Sequence, residues 1–223
     1  MDRLIFSSFQ QAIPLLIQEG ISVDAIVVDP PYEIGISGKG WDKEGTTFQP
    51  ETWALLKGIL KPDGVLIAFC HARTYHRMAK AIMDGGFYYW QEGAWVYGSG
   101  VPKGMNLARV DERWEGFHTA LKPGHEPIFI GGLEERPFTK GKIRYSSKAS
   151  GSEVEGLSHP TIKPVSLMEG LLTDHCGKVV LDCFAGSGTT GLAARRTGKD
   201  FILIERDLGN FKEMVKRLTG KDV

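Results

Sequence analysis

The sequence predicts an α/β domain: an open, largely parallel sheet with helices on both faces. Three observations predict it. Short apolar, strand-like runs alternate with helix-length segments along most of the 223 residues. Ala25–Val28 and Val65–Cys70 are apolar without interruption, as in strands buried on both faces. A strand ending at Asp182 opens into a glycine-rich turn followed by a helix, the way such sheets present ligand loops.

Taken in order, Arg3–Phe6 reads as a strand and Gln10–Gln18 as a short helix weakened by Pro14. Ala25–Val28 is a strand stopped by Asp29-Pro30-Pro31-Tyr32, because two prolines cannot continue a central strand. From Glu33 to Pro50 glycine and polar residues make a loop. Thr52–Leu60 reads as a helix closed by a Lys61-Pro62-Asp63-Gly64 turn, before the strand Val65–Cys70. Tyr75–Met83 is a helix ended by Asp84-Gly85-Gly86, and Phe87–Val96 an aromatic-rich strand. From Gly98 to Ser158 only His125–Ile130 reads as a strand. Irregular chain of that length inside a compact domain signals function. Val165–His175 is a helix with Pro164 at its start. Val179–Leu181, Thr189–Thr197, Phe201–Glu205 and Leu208–Leu218 then read as strand, helix, strand and helix.

Composition narrows the class. Hydrophobic residues at 42% and charged residues at 24% exclude a disordered or collagen-like chain. No apolar run approaches the ~20 residues of a membrane helix, and the first residues turn polar too early for a signal peptide. Three scattered cysteines suit a reducing cytoplasm rather than a disulfide framework. Net charge is zero but unevenly spread. Residues 1–99 hold 8 basic and 11 acidic side chains, and residues 100–150 hold 9 and 6. Lys140, Lys142, Arg144 and Lys148 form the one basic cluster, read either as a solvated loop or as a strip for a polyanion.

Gly186-Ser187-Gly188-Thr189-Thr190-Gly191 fits G-x-G-x-x-G, and Glu205 closes the next strand, where an acid can accept from ribose hydroxyls. The pattern suits a dinucleotide or S-adenosylmethionine. Asp182 and Phe184 favour the second, since a carboxylate there pairs with a methionine-like amino group and repels a pyrophosphate. Only 18 residues follow Glu205 in the sequence, room for one helix, so strands from the N-terminal half are expected to complete the sheet. Ligands sit at the carboxyl ends of parallel strands. Asp29-Pro30-Pro31-Tyr32 is therefore expected to face the glycine loop across a cleft.

Two prolines fix the backbone after Val28. The Asp29 carboxylate and Pro30 carbonyl are two acceptors, and Tyr32 adds a flat ring. Together they complement a planar heterocycle bearing an exocyclic NH₂. Holding both N–H bonds localises the nitrogen lone pair for attack on a methyl group, and a sulfonium is at home near aromatic faces.

With these motifs the chain resembles the DNA amino-methyltransferases, the N6-adenine and N4-cytosine enzymes. Asp29-Pro30-Pro31-Tyr32 matches their catalytic motif and Asp182 to Thr189 their cofactor motif. His159-Pro160-Thr161-Ile162-Lys163-Pro164 matches the motif before the cofactor strand. Their order resembles the permuted beta class. Gly40-Trp41-Asp42-Lys43, Arg73 to Arg77, Trp95 to Gly100 and Thr119 to Pro123 look like phage and prophage DNA methylases. The resemblance implies a Rossmann-like, circularly permuted methyltransferase fold over residues 1–223. Within it, residues 99–158 hold a small target-recognition insertion.

It further implies S-adenosylmethionine as cofactor, no metal, and duplex DNA with a flipped base as substrate, in a bacterial cytoplasm. Initial Asp leans toward adenine, and Ser-Pro-Pro-Tyr toward cytosine. Asp29, Pro30 and Tyr32 are expected to hold the base, with Pro31 shaping the turn. Phe184, Ala185, Gly186 and Gly188 are expected to line the cofactor, with Asp182, Ser187 and Thr189 nearby and Glu205 on the ribose. Lys163 is expected either at the cofactor carboxylate or on the surface at a helix start. Relatives often carry an acid after the first strand; here Ser7 and Ser8 stand, and Ser8 is taken as the cofactor contact. The recognition segment is short, which implies a short target, loose specificity or a homodimer. Base flipping needs a side chain to fill the gap and cations for phosphates. Lys39, Trp41, Ser99, Lys103, Lys140, Lys142, Arg144 and Lys148 are the candidates. A catalytically silent DNA-binding relative and an NAD-dependent oxidoreductase are the rivals from other classes.

Overall fold

The computed structural model describes residues 1–34, 45–97, 104–106, 109–110, 113–114, 119–121, 124–136, 143–157 and 162–222. The first half runs β1 (Arg3–Phe6), α1 (Phe9–Gln18), β2 (Val23–Val28), α2 (Pro50–Lys57), β3 (Leu60–Phe69), α3 (Tyr75–Asp84) and β4 (Tyr88–Tyr97). Four short strands follow: β5 (Gly104–Asn106), β6 (Arg109–Val110), β7 (Arg113–Trp114) and β8 (Thr119–Leu121). Then come β9 (His125–Gly132), β10 (Ile143–Ser146), α4 (Val165–His175), β11 (Val179–Asp182), α5 (Thr189–Arg196), β12 (Asp200–Glu205) and α6 (Leu208–Thr219).

Eight strands form one sheet in the order β1-β12-β11-β2-β3-β9-β4-β10, while β5 pairs β8 and β6 pairs β7 in separate ladders. Every pairing in the main sheet is parallel except those of β9 with β3 and β4. Strand alternation divides the core. Ile26 and Val28 of β2 face a layer with Phe9, Ile13, Trp53, Leu56, Met78 and Ile82 from α1, α2 and α3. Ala25 and Val27 face the opposite layer, with Met168, Leu172, Ala194 and Met214 from α4, α5 and α6. Helices therefore cover both faces, as expected.

Three local expectations need correction. Lys61-Pro62-Asp63-Gly64 does not precede the strand as a turn; it lies inside β3. The register jumps from Val23↔Leu60 to Ala25↔Val65, so the four residues bulge opposite Asp24, where proline's missing N–H costs nothing. The helix before it accordingly ends at Lys57. Ile143–Ser146, within the stretch expected to be irregular, pairs in parallel with Ala94–Tyr97 and forms a sheet edge. The helix expected over Gln10–Gln18 is present as α1, and Pro14 sits inside it without ending it, because Phe9, Ala12, Ile13 and Leu16 bury one continuous face. Among the described residues no helix is long and apolar enough to cross a membrane.

Candidate active site

Strands β1, β12, β11, β2, β3 and β4 all finish on one edge of the sheet, and β9, running the other way, begins there. The chain leaves β2 toward β3 on one side and leaves β11 toward β12 on the other. The crevice between β2 and β11 is thus the switch point where α/β sheets take ligands. Val180↔Ala25 and Leu181↔Ile26 are paired directly. The Asp29 motif and the glycine loop are therefore neighbours, as the sequence predicts from residues about 150 apart.

The Asp29 side of the crevice is a charged network. Tyr32 Oη lies 2.7 Å from Asp29 Oδ1 and 2.8 Å from Glu126 Oε2. Lys163 Nζ donates to Asp29 Oδ2 at 2.5 Å and to Tyr32 Oη at 3.2 Å, and pairs with Glu126 at 3.2 Å. The rings of Phe69, Tyr32 and Trp95 surround the ammonium at 5.1, 5.5 and 5.8 Å. Burial alone would lower the Lys163 pKa, but the charges of Asp29 and Glu126 outweigh it and hold it above the usual lysine value. Burial, reinforced by the same two carboxylates, pushes the Tyr32 hydroxyl well above the usual tyrosine range. The motif's backbone is fixed from the other side. Thr47 donates to the Pro31 carbonyl at 3.2 Å and Thr74 to the Tyr32 carbonyl at 3.1 Å. Glu33, the next residue, has a left-handed φ of 55° and accepts Gly45 N–H at 2.8 Å.

The glycine loop is built differently, from local and mostly neutral bonds. Asp182 accepts the Phe184 N–H at 3.0 Å and the Thr190 hydroxyl at 2.5 Å. Gly186 and Gly188 take φ of 52° and 81°, values that favour glycine. Gly186 N–H donates to Glu205 Oε2 at 2.8 Å and Asp207 N–H to Oε1 at 2.7 Å. Burial raises the Asp182 pKa to about 7; the Thr190 and Phe184 bonds oppose the rise, and Asp29 and Glu205 add to it. Burial also raises Glu205, against its backbone N–H bonds. Phe184 packs on Phe9 with ring centroids 5.2 Å apart, and Ala185 N–H binds the Ile204 carbonyl at 3.1 Å. The Ser187 and Thr189 hydroxyls face α6, where Arg217 donates to them at 3.3 and 2.9 Å.

Asp29, Pro30, Pro31 and Tyr32 thus share one crevice with Asp182 to Thr189 and Glu205. Ser8 stands at the end of β1 beside them, next to Ser7, whose N–H binds the Glu205 carbonyl at 3.1 Å. The surface alternative for Lys163 is wrong: its side chain is 6% exposed, and its ammonium is engaged by Asp29. Arg144 turns inward, donating to the Gly170 carbonyl and pairing with Asp174 of α4. Lys148 is exposed. Lys39, Trp41, Ser99, Lys103, Lys140 and Lys142 lie outside the described residues. Among the described residues no group of three His, Cys, Asp or Glu is placed to hold a metal ion.

Sequence reading missed Glu126, Thr74 and Arg217. Glu126 carried the one usable signal, an acid at the head of an otherwise apolar strand. It reaches the edge only because β9 is antiparallel.

The crevice suits a cationic ligand bearing a ribose. Asp29, Asp182 and Glu205 stand close enough that the first and last raise the second. A sulfonium or ammonium would relieve that repulsion, and the glycine turn leaves the backbone open to close approach.

Comparison with known proteins agrees. Residues 23–216 match the DNA methylase family of N6 and N4 methyltransferases. The type II methyltransferase M2.DpnII of Streptococcus pneumoniae is 27% identical over 90% of this chain and 84% of its own. The M1.HpyAVI–SAM complex superposes with a TM-score of 0.73 at 26% identity, over 98% of this chain and 100% of that one. PvuII DNA methyltransferase, cytosine-N4-specific, shares the fold at TM-score 0.66 and 17% identity, over 95% and 85% of the two chains. The chain belongs to the N6/N4 DNA methylase family. It is an S-adenosylmethionine-dependent methyltransferase of DNA amino groups, adenine N6 or cytosine N4.

Proposed function

We propose that the protein methylates N6 of an adenine flipped out of duplex DNA, by direct transfer without a covalent enzyme intermediate. The carrying observation is the Asp29 motif fixed at the end of β2, beside the glycine loop of β11. The Asp29 carboxylate and Pro30 carbonyl accept the two N–H bonds of the amine, and the Tyr32 ring packs on the base. Pro31, with Thr47 on its carbonyl, sets their directions. S-adenosylmethionine, when bound, supplies an electrophilic methyl group on a sulfonium. Phe184, Ala185, Gly186 and Gly188 line its site, with Asp182, Ser187 and Thr189 forming the turn. Glu205 takes the ribose, and Ser8 stands at the adenine side.

The amine lone pair forms the new N–C bond as the C–S bond breaks and its electron pair returns to sulfur as a thioether, and the nitrogen then passes one proton to water through the Asp29 carboxylate that holds it. No cysteine is needed, because the amine is itself the nucleophile. Burial holds the Cys70 and Cys183 thiols well above the usual range, which suits inert core residues. Initial Asp in the motif favours adenine over cytosine.

Residues 99–158 are assigned the target-recognition role within one methyltransferase domain. Lys39, Trp41, Ser99, Lys103, Lys140, Lys142 and Lys148 are proposed to contact DNA; Arg144, with Asp174 beside it, serves α4 instead. A homodimer would extend the small recognition surface, and a bacterial cytoplasm supplies both DNA and cofactor.

The test is incubation with isotope-labelled S-adenosylmethionine and unmethylated bacterial DNA, followed by digestion to nucleosides. Label in N6-methyladenine supports the reading. Label in N4-methylcytosine keeps the mechanism and overturns the base assignment. Label in neither, from protein that binds the cofactor, removes the proposed activity.

A further inference from the structure

The segment from Gly64 to Met83 holds no Asp or Glu, yet it carries Arg73, Arg77 and Lys80. It lies in a half of the chain where acidic side chains outnumber basic ones, 11 to 8. Arg77 and Lys80 stand three residues apart on the exposed face of α3, whose other face buries Met78, Ala79, Ala81 and Ile82. Arg73 stands in the turn before the helix and is exposed as well. Lys80 is engaged, pairing with Asp84 at 2.7 Å. Among the described residues neither Arg73 nor Arg77 has a carboxylate against its side chain.

Both arginines are tied to the Asp29 motif through their neighbours. Thr74, next to Arg73, donates to the Tyr32 carbonyl at 3.1 Å. The Arg77 guanidinium lies over the Phe48 ring, its central carbon 4.0 Å from the centroid. Phe48 packs against the core, and Thr47 beside it donates to the Pro31 carbonyl at 3.2 Å. The stack fixes where the guanidinium stands and leaves its N–H groups without an acceptor among the described residues. A buried structural arginine would have its donors satisfied; this one is held in place with its fork unused.

We propose that Arg73 and Arg77 grip backbone phosphates of the DNA strand that carries the target base. This rests on the reading that a flipped base is held at Asp29–Tyr32. A base seated on Tyr32 stays joined through its sugar to phosphates at the rim of the crevice. The turn before α3 stands on that rim, because β3 ends there and the chain enters the helix within five residues. Each guanidinium offers a planar fork of donors that matches two phosphate oxygens. Free phosphate has the same chemistry, but duplex DNA alone releases condensed counterions when its phosphates are neutralised. A salt dependence therefore tells the two apart.

The test measures binding of the full-length protein to duplex DNA over a salt series, with S-adenosylhomocysteine present so that no methyl group moves. R73Q and R77Q should each weaken binding about tenfold, the scale of a hydrogen bond between charged groups. Each should also reduce the slope of log affinity against log salt by about 1. The loss should be alike for duplexes of different sequence, since phosphates carry none. R73K keeps the charge and should keep the slope. K80Q removes a cation from the same helix and should leave affinity within twofold of wild type. Cofactor affinity should change less than twofold in every variant. R73Q decides the matter if R77Q melts early, because Arg73 has no ring stack among the described residues. The wild-type slope in both R73Q and R77Q would overturn the proposal. So would a loss in K80Q as large as in R73Q, which would mean an effect of net charge and not of a site. Wild type that binds DNA and labels none leaves the slopes to decide this proposal, and places the failure with the methyl-transfer reading.

Discussion

The two sides of the crevice solve the burial of acids in opposite ways. Beyond β2, Asp29 is held by a buried ammonium from 134 residues away, and Glu126 reaches Tyr32 across 94 residues. Beyond β11, Asp182 is held by Phe184 N–H and the Thr190 hydroxyl, two and eight residues away, with no cation on it among the described residues. One side is a charged network assembled by the tertiary fold, and the other a neutral turn assembled by local sequence. The first has a cation against it in a half-buried place. Without one, Asp182 rises to about 7. The side proposed to hold a neutral amine thus carries an ammonium, while the side proposed to receive a cationic cofactor is left short of positive charge.

Removing the cation should have the largest effect. Lys163→Met would remove the buried ammonium that Asp29 and Glu126 share, at a cost of about 3–5 kcal/mol. For a chain of this size that lowers the melting temperature by roughly 10 °C, measured by scanning calorimetry, and methyl transfer should be lost with it. Adding E126Q should restore part of the stability, because Asp29 then no longer faces a second carboxyl group. If Lys163→Met melts like wild type, the charged description of the β2 side fails.

Asp182 gives the converse. Its pKa is raised in the folded protein, so its contribution is fully present below the unfolded value near 3.8. It is lost as pH rises through about 7. Stability should decline across that window by roughly 4 kcal/mol, at about 1.4 kcal/mol per pKa unit. Asp182→Asn cannot ionise and should flatten the decline in melting temperature against pH. An equal slope in the variant would show that the turn's N–H and hydroxyl donors already compensate the charge.

Gly188 probes the turn's backbone. At φ 81°, an added Cβ would lie 2.8 Å from Met214 Cγ. Gly188→Ala should therefore cost about 1–2 kcal/mol in backbone strain, with the methionine side chain absorbing part of the crowding. Calorimetric titration with S-adenosylmethionine should show weakened binding.

The same contrast explains what the sequence reveals. The glycine loop was legible because its parts are consecutive: the acid, the turn glycines and the helix start fall within ten residues. The sheet and its helices were legible from uninterrupted apolar runs. Glu126 was not, because the rule that ligands lie at carboxyl ends of strands passes over the start of an antiparallel one. Lys163 was visible as part of a motif, but its partner is set by how β2 and α4 meet. The bulge in β3 reads as a turn because Lys-Pro-Asp-Gly has turn chemistry wherever it stands, and only pairing with β2 shows that it lies within the strand.

Arg217 is the smallest and sharpest probe, because its side chain touches the supports of both regions. Its guanidinium donates to Ser187 and Thr189 behind the glycine turn and, at 3.4 Å, to the Glu153 carbonyl. The Glu153 carboxylate in turn accepts the Val165 N–H at 3.1 Å, two residues past Lys163. Half-buried hydrogen bonds from a charged donor contribute about 1–2 kcal/mol net, so Arg217→Met should cost about that much. Cofactor binding should weaken several-fold. If the two regions are independent, methyl transfer at saturating cofactor should stay near the wild-type rate. A fall in that rate, with cofactor sites filled, would mean that the Glu153 link carries the displacement to Lys163, and that the charged and neutral sides of the crevice move together.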